Sequence, residues 1–452
     1  MEFRWPRLMI EGLGPIRQAK LTIKPLTIII GRNSFGKSLL INLAYLLSST
    51  LPSFPKLKEL VGDRALKLAE SALTAIKEDR VEDASRELTG LLHLHLQEVG
   101  PALGMSLTSR FKEFFNVEKV VELFRGQALI EGSRLLKCFI KPSDDYLEVK
   151  VEGYHEVEAA IESVERGPEG FFVQVNLTCR GENWVEEPWG WYVEDAGDVL
   201  SLTGNRLLPS VLTDLAPLSF ATIDPYLLTD SRAGVLRLAR ASLSRSLEYG
   251  RLTVPAREAA FLAAYDKLMR RFYERKVKED LRGAYNNFMA EIGVDDVRIR
   301  LVGGYPEAVV KDCWGREMLL EECPSGIREA LSIALALAVE SEGFEALFVE
   351  EAEAHLHPKA LDRMLRLAWG ALQAEKRVLY LIVTTHSPIV LSVVNNLVMS
   401  LKEGYEVVSV VHLREIEGGV ESEEIEVSEE GFDESELSAI FVELMEERAR
   451  LG

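Results

Sequence analysis

Glutamine is scarce in this 452-residue chain, limited to Gln18, Gln97, Gln127, Gln174 and Gln373, while Glu, Arg and Lys are plentiful. That balance is of the kind found in heat-stable proteins. Cysteine is rarer still. Cys138, Cys179, Cys313 and Cys323 show no CxxC spacing, which argues against a disulfide frame or a zinc site and reads as reduced, mostly structural thiols. No run of sequence approaches the ~18 apolar residues that a membrane-spanning helix needs. The opening MEFRWPRLMIEGLGPIRQ lacks the basic start and apolar core of a signal peptide. The expectation is a cytoplasmic protein with no membrane partner. Positive charge is also outweighed: the formal net charge is −20. Free nucleic acid would be repelled by most of such a surface, so contact with it needs a local basic patch or a partner protein.

What remains is a globular composition, 47% hydrophobic and 27% charged, long enough for a large core. Residues 7–30 alternate short apolar runs with Gly and Pro (RLMIEG, AKLTI, PLTIII) and predict three strands, the last buried because it is continuously apolar. LLINLAYLLSS, from about Leu39, predicts a helix stopped near Pro52 and Pro55. Residues 56–126 are helical in pattern. FIKPSDDYLEVKVEG, GFFVQVNLTCR and EEPWGWYVED, within 130–222, alternate as antiparallel strands do. A second helical block covers 233–291, and 296–415 reads strand, helix, strand, helix, strand, the order of a parallel α/β sheet. An acidic tail ends in an amphipathic helix, ESELSAIFVELMEERAR.

Four motifs carry chemistry. GRNSFGKS (31–38) fits G-x-x-x-x-G-K-S and lies between the buried strand LTIII and an apolar helix. Glycines there let backbone N–H groups close around phosphates, and the helix N-terminus adds positive potential. Lys37 would reach the β- and γ-phosphates, and Ser38 would hold Mg²⁺. In EALFVEEAEAHLHP (345–358) an apolar strand ends in Glu350 and Glu351. Beside a phosphate loop, Glu350 suits a metal role and Glu351 a general base; elsewhere the same pair would be a solvated helix start. LIVTTHSPIVLS (381–392) ends a second buried strand in Thr384, Thr385 and His386. His386 reads either as a hydrogen-bonded structural residue or, at the carboxyl edge of a parallel sheet, as a contact to the γ-phosphate. Finally Pro324-Ser325-Gly326-Ile327-Arg328 opens the helix EALSIALALAVES. Ser and Gly there predict an N-cap, and capping geometry is also an anion site.

Taken in this order, the motifs resemble the ATP-binding-cassette superfamily, and within it the non-transporter branch of chromosome-maintenance and repair ATPases and the ATP-binding proteins related to the overcoming-lysogenization-defect family. IEGLGPIRQAKLTIKPLTIIIGRNSFGKS is similar to that branch along its length, EEAEAHLHP resembles its D/E-E-P-E-x-H-L-H-P, TTHSP its His switch, and LTDSRAG (228–234) a strand-end Ser/Arg motif frequent there. The resemblance covers both ends of the chain well and 56–220 poorly. It implies an α/β P-loop NTPase, an ABC-type ATPase head with an antiparallel β subdomain and inserted helical blocks. It also implies ATP and Mg²⁺ as ligands. Arg32, Asn33, Ser34, Phe35, Gly36, Lys37, Ser38 and Leu39 become the candidate nucleotide contacts, Ser38 and Glu350 the metal residues, and Lys37, Glu351 and His386 the catalytic set. Ser325 and Gly326 stand at the signature motif, which reaches ATP on a second subunit, so an ATP-dependent homodimer is implied.

Departures and absences sharpen this. The usual S-G-G-Q core is here Ser-Gly-Ile327-Arg328, Ala352 replaces a Pro, and the Mg-contacting Gln has only Gln97 and Gln127 as candidates, unless Ser231-Arg232 substitutes. No cysteine hook and no heptad arms argue against the long-coiled-coil repair ATPase, and no membrane domain or coupling helix argues against a transporter subunit. The stretch after His386 reads as too short for a nuclease domain. The expected layout is a single discontinuous head: 1–50 the P-loop part, 51–129 a helical insertion, 130–232 the antiparallel β part, 233–291 a helical block, 292–415 the lobe with signature, Walker B and His switch, and 416–452 the tail. Two function classes compete: an ATPase in DNA repair or anti-invader defence with a separately encoded effector, and a nucleotide-gated scaffold or sensor that regulates a partner without touching DNA.

Other residues carry blander expectations. His355 and His357 read as loop packing and hydrogen bonding rather than a metal site, and His93 and His95 as helix-face residues. Trp184, Trp189 and Trp191 could stack on bases, but their acidic surroundings favour a β-hairpin core or a protein interface. The basic stretch 267–282 reads as a solvated helix with i,i+4 charge pairs.

Overall fold

The structure is a computed structural model that describes every residue outside 1–4, 51–53, 169, 180–181, 184–187, 216–223, 237–253, 303–304, 340–342, 375–376, 402, 435–442, 444 and 451–452. Trp184, part of the 233–291 block and most of the C-terminal amphipathic stretch therefore lie outside the described residues. The chain divides into two compact units, one of Gly14–Tyr45, Glu113–Phe115 and Asp224–Gly452, the other of Met1–Leu13, Leu46–Lys112 and Asn116–Ile223.

The first of these is a mixed α/β unit. The run LTIIIG forms the strand Leu26–Gly31, buried at every position, as a strand covered on both faces must be. Arg377–Thr385 lies parallel to it on one side and Val408–Ile416 on the other. Gly343–Val349 and then Asp224–Leu228 extend the parallel set beyond Arg377–Thr385. Parallel neighbours need long crossovers; the helices Pro358–Leu372 and Pro388–Met399 provide them on either side of Arg377–Thr385 in sequence. Gly419–Ile425 returns antiparallel to Val408–Ile416 through a tight turn in which Gly418 has φ 80, and Ile16–Thr22 pairs parallel with Gly419–Ile425.

Register decides where the motifs emerge. Leu228 pairs with Val349, Val349 with Val383, and Val383 with Ile28. The residues that follow these positions therefore leave the sheet at one carboxyl edge: Thr229 and Asp230, Glu350 and Glu351, Thr385 and His386, and the loop after Gly31. Ligand sites of open parallel sheets form at that edge.

Several boundaries differ from the sequence reading. Asp224–Leu228 is parallel to Gly343–Val349 and so belongs to the α/β sheet, not to an antiparallel part ending at 232. The segment Val294–Leu319 is not in that sheet. It forms a separate antiparallel sheet of Val294–Val302, Tyr305–Asp312 and Glu317–Leu319, whose apolar runs do not reveal their partner. Gly419–Ile425 is a sheet strand rather than tail, and Pro55 opens the helix Phe54–Lys77 instead of stopping the one before.

In the other unit Arg7–Leu13, Phe124–Glu131, Lys137–Ser143 and Tyr146–Glu152 pair antiparallel in that order, and Val157–Gly167, Gly170–Cys179 and Trp189–Val193 form a second antiparallel sheet. YLEVKVE buries Leu147, Val149 and Val151 on one face, the period of two expected of a half-covered strand. The strand Phe124–Glu131 starts inside what reads as helical sequence. Residues 196–215, expected as strand, are helical, beginning with Ala196–Leu202 capped by Asp195. Gly100 and Gly104 lie where the helix Val81–Phe115 meets Tyr146–Glu152: a Cβ on either would sit 2.5 Å from a strand carbonyl, Val149 O or Leu147 O. Only glycine permits that approach.

Candidate functional site

The loop 31–38 takes its shape from glycines and one strained serine. Gly31 (φ 150) and Gly36 (φ 93) adopt conformations that side chains avoid, and a Cβ at Gly36 would lie 2.9 Å from Ile16 Cγ1. Ser34 adopts φ 66 without that freedom, a cost of about 1–3 kcal/mol that persists only where the surroundings impose it. The helix Lys37–Ser49 starts at once, and Leu40 is the first to donate back into it, to Gly36 O at 2.9 Å. The preceding N–H groups of the first turn have no intrahelical acceptor and point out of the helix end, where an anion is stabilised. Lys37 is buried, and its Nζ donates to Gly31 O at 2.7 Å and Arg32 O at 2.9 Å. Burial pulls its ammonium below the ordinary lysine value, against the opposing pull of Glu351 and Glu353.

A cavity of about 330 Å³ opens over this loop, lined by Asn33, Ser34, Gly36, Lys37, Ser38 and Leu39, with Pro15, Glu351 and Thr384 completing the wall. A cationic side chain, a hydroxyl, unpaired N–H groups and a facing carboxylate are the donor set that a magnesium triphosphate needs, so these residues fit that group. Among the described residues there is no separate cluster of three or more potential metal ligands.

The two adjacent acids differ sharply in setting. Glu350 is fully buried. Asn42 Nδ2 donates to its Oε1 at 3.1 Å, Asp230 N to its Oε2 at 3.3 Å, and Arg257 Nη2 also donates to Oε2 while pairing with Asp230 at 2.8 Å. Burial raises the Glu350 carboxyl above its ordinary value; Arg257 draws it back and Asp230 pushes it up again. Both oxygens are thus engaged behind the cavity wall. Glu351 is half-buried and on the wall itself, with φ 45. Its N–H donates to Thr384 Oγ1 at 3.0 Å, which ties it to the neighbouring strand end.

Arg232 is the largest wholly buried side chain near this edge. Its Nε lies 2.7 Å from Glu329 Oε2, with both side chains essentially inaccessible. Removing one member of such a pair costs about 3–5 kcal/mol. By contrast, the exposed Arg270–Asp266 pair on the helix Ala256–Glu274 is of the kind worth only about 0.3–0.5 kcal/mol. That helix is not solvated all round, as the basic run suggests: Arg271 turns inward to Glu345 at 2.5 Å.

His386 follows the same strand end as Thr384 but is not in the cavity wall. It is half-exposed, with Nδ1 3.3 Å from Glu353 Oε1 and its N–H donated to that oxygen at 2.8 Å. Ser325 and Gly326 begin the helix Ser325–Ala338, but the N-cap is Pro324 and no side chain caps it. The expected serine cap is therefore corrected: Ser325 is one position too late, inside the first turn, and its hydroxyl is not used on its own helix. Arg328 folds back to donate to Glu321 O and Cys323 O. His357 caps the helix Pro358–Leu372 through Lys359 N; on the helix Val81–Phe115, His95 bonds to Leu91 O of the same helix and His93 to Val157 O of the strand Val157–Gly167. Gln127 bonds to Glu11, Gln97 is exposed, and neither lines the cavity.

The geometry therefore brings Lys37, Ser38 and Glu351 to one cavity, with Asn33, Ser34, Gly36 and Leu39. Glu350 stands behind it and His386 beside it, while Arg32, Phe35, Ser325 and Gly326 do not line it. Residues that sequence reasoning missed are Asn42, Thr384, Asp230 and Arg257. Asn42 stands four positions after Ser38, on the same helix face, and that spacing was readable. Thr384 and Asp230 sit inside motifs already noted. Arg257 carries no local signal.

Residues 214–392 match the family model described as "AAA domain, putative AbiEii toxin, Type IV TA system". No curated protein matches the chain. Among solved structures, the chain is similar to an Smc head bound to the C-winged helix domain of ScpA, at 11% identity and TM-score 0.40 over 94% of this chain and 98% of that one. It is similar to an Smc head domain with an extended coiled coil bound to the C-terminal domain of ScpA, derived from Pyrococcus furiosus, at 11%, 0.40, 98% and 100%. It is also similar to an SMC head domain from Thermotoga maritima at 11%, 0.32, 94% and 100%. Likenesses this loose carry no argument about the site. The parallel sheet, the glycine loop at its carboxyl edge and the matched ATPase-type domain make this a mixed α/β chain of the P-loop ATPase fold.

Proposed function

We propose that the chain binds ATP with Mg²⁺ in the cavity over the loop 31–38 and hydrolyses it to ADP and phosphate. The observation that carries this reading is that Lys37, Ser38 and Glu351 line one cavity. Lys37 and the first-turn N–H groups hold the phosphate oxygens, and Ser38 offers its hydroxyl to the metal. Bound Mg²⁺ supplies charge neutralisation across the β- and γ-phosphates. Glu350, with both oxygens engaged, would supply negative charge to that metal's site. Glu351 accepts a proton from the attacking water. His386, held by Glu353, reaches the γ-phosphate by turning its ring. Release of phosphate from ATP tests the scheme: Glu351→Gln should lower turnover about 10²–10⁴-fold with nucleotide still bound, and Lys37→Ala should abolish binding of a labelled ATP analogue. Unchanged turnover in the first variant refutes the base; unchanged binding in the second refutes the cradle.

Ser325 and Gly326 then act on nucleotide held by a second copy, in an ATP-dependent homodimer of the chromosome-maintenance and lysogenization-defect-like branch. The biological setting is defence against invading DNA or DNA repair, with a separately encoded effector. The description of the matched family, which names a toxin of a toxin–antitoxin system, supports defence over repair. The second reading, a nucleotide-gated regulator of a partner protein that does not touch DNA, is favoured by the net charge of −20. Stimulation of hydrolysis by DNA ends, lost at high salt, separates the two.

A further inference from the structure

Arg232 lies in the LTDSRAG segment, and nothing in the proposed hydrolysis uses it. Its guanidinium is fully buried and is held by carbonyls and by one carboxylate. Nη1 donates to Thr229 O and to Glu350 O, each at 2.8 Å, and to Leu228 O at 3.3 Å. Nη2 donates to Glu351 O at 3.4 Å, and Nε faces Glu329 Oε2 at 2.7 Å. Glu329 is fixed in turn, because its Oε1 accepts from Ala233 N at 2.9 Å.

The choice of carbonyls is the informative part. Glu350 O and Glu351 O belong to the peptide groups on either side of the Glu351 Cα. Gripping both, while Thr384 Oγ1 takes the Glu351 N–H, fixes the two backbone angles that aim the Glu351 side chain. Those angles are unfavourable, with φ 45, so something must hold them. A planar fork of five donors can serve two strand ends and a carboxylate together; a single ammonium cannot keep that spread.

We propose that Arg232 is a positioning residue for Glu351, and that Glu329 on the helix Ser325–Ala338 holds Arg232 in place, so that the general base and the helix carrying Ser325 share one buried fastening. The inference rests on the reading of Glu351 as the base. Its test is a double-mutant cycle on the full chain with wild type, Arg232→Lys, Glu351→Gln and the double variant. Phosphate release at saturating ATP and binding of a labelled ATP analogue are both measured. Arg232→Lys keeps the buried charge and should lower kcat about 10- to 100-fold, the size of a small misplacement of a reacting group. Analogue affinity should stay within about twofold, since the phosphate cradle is untouched. In the Glu351→Gln background the same change should cost nothing further. Unchanged kcat in folded Arg232→Lys overturns the proposal, and so does an equal loss in the Glu351→Gln background. If Arg232→Lys does not fold, Glu329→Asp, which keeps the pair but shortens its reach, runs through the same cycle with the same expectations. Failure of the base assignment shows earlier and separately, in the single Glu351→Gln protein.

Discussion

Thr384 and Glu351 sit on adjacent strand ends and are joined twice over: the Glu351 N–H donates to Thr384 Oγ1 at 3.0 Å, and the next N–H, of Ala352, donates to Thr384 O at 3.3 Å. The strand that leads to His386 thereby sets the height of the acid over the cavity. A buried hydroxyl at a strand end thus acts on the neighbouring strand rather than on its own.

Replacing that hydroxyl by a methyl isolates its contribution. Thr384→Val fits the same space but leaves the Glu351 N–H without its acceptor, at a cost of about 1–3 kcal/mol in stability. Thermal unfolding should move down accordingly. Turnover should fall while binding of an ATP analogue holds, because the loop 31–38 keeps its shape. Equal losses in both would mean that Thr384 supports the whole cavity and not Glu351 alone.

Gly36→Ala tests the cradle by shape alone, without removing a charge. The added methyl meets Ile16 Cγ1 at 2.9 Å in a conformation with φ 93, so the loop must move or the strand Ile16–Thr22 must give way. Strain of this kind costs about 1–3 kcal/mol. Analogue affinity should drop at least about tenfold, the equivalent of 1.4 kcal/mol, with the fold retained by circular dichroism. A variant that binds as tightly as wild type would show that the first-turn N–H groups do not contact phosphate.

The parts legible in sequence were those with local signals. LTIIIG followed by GRNSFGKS announces a buried strand, a glycine loop and a helix, and the structure has all three. FVEEAEAHLHP announces a strand ending in acids, but not that Glu350 is engaged and Glu351 is on the wall. That division depends on Asn42, Asp230 and Arg257, which approach from three distant stretches of chain. Strand partnership is equally non-local. YLLTD reads as an ordinary short strand, and only its pairing with Gly343–Val349 brings Asp230 and Arg232 to the acids. The helical stretch 196–215 is not announced locally, because Trp, Tyr and Val upstream carry a strand pattern that ends without a Gly or Pro marker before the Asp195 cap.

The buried carboxyl of Glu350 predicts a particular pH dependence of stability. Burial raises its pKa above the ordinary glutamate value, with Arg257 opposing. The folded chain therefore holds that proton more tightly than the unfolded one. Stability from the protonated form is fully present below the unfolded value, about 4.3, and is lost as pH rises through the higher folded value. Glu350→Gln mimics the protonated state at every pH. The melting temperature of the variant minus that of wild type should increase as pH rises from about 4 toward 7. A difference that is flat or declines with pH would count against a raised carboxyl.

Ser325 carries the prediction about the second copy. It opens the helix Ser325–Ala338 without capping it, since Pro324 is the N-cap and the serine hydroxyl is unused by its own helix. Neither Ser325 nor Gly326 lines the cavity over the loop 31–38, so a role on nucleotide requires nucleotide from another chain. Ile327 N and Arg328 N donate to Pro324 O, which leaves the N–H groups of Ser325 and Gly326 as the ones such a helix end offers to a phosphate. Ser325→Arg should leave analogue binding within about twofold of wild type, because the cradle is elsewhere, while turnover falls about 10²-fold or more through loss of a transition-state donor. In a Glu351→Gln background, where ATP persists, mass measurement with Mg-ATP should give a doubled species that the added Ser325→Arg change abolishes. If the doubled species survives that change, or if turnover is unaffected by it, the helix end does not meet the partner's nucleotide and the two-copy arrangement is wrong.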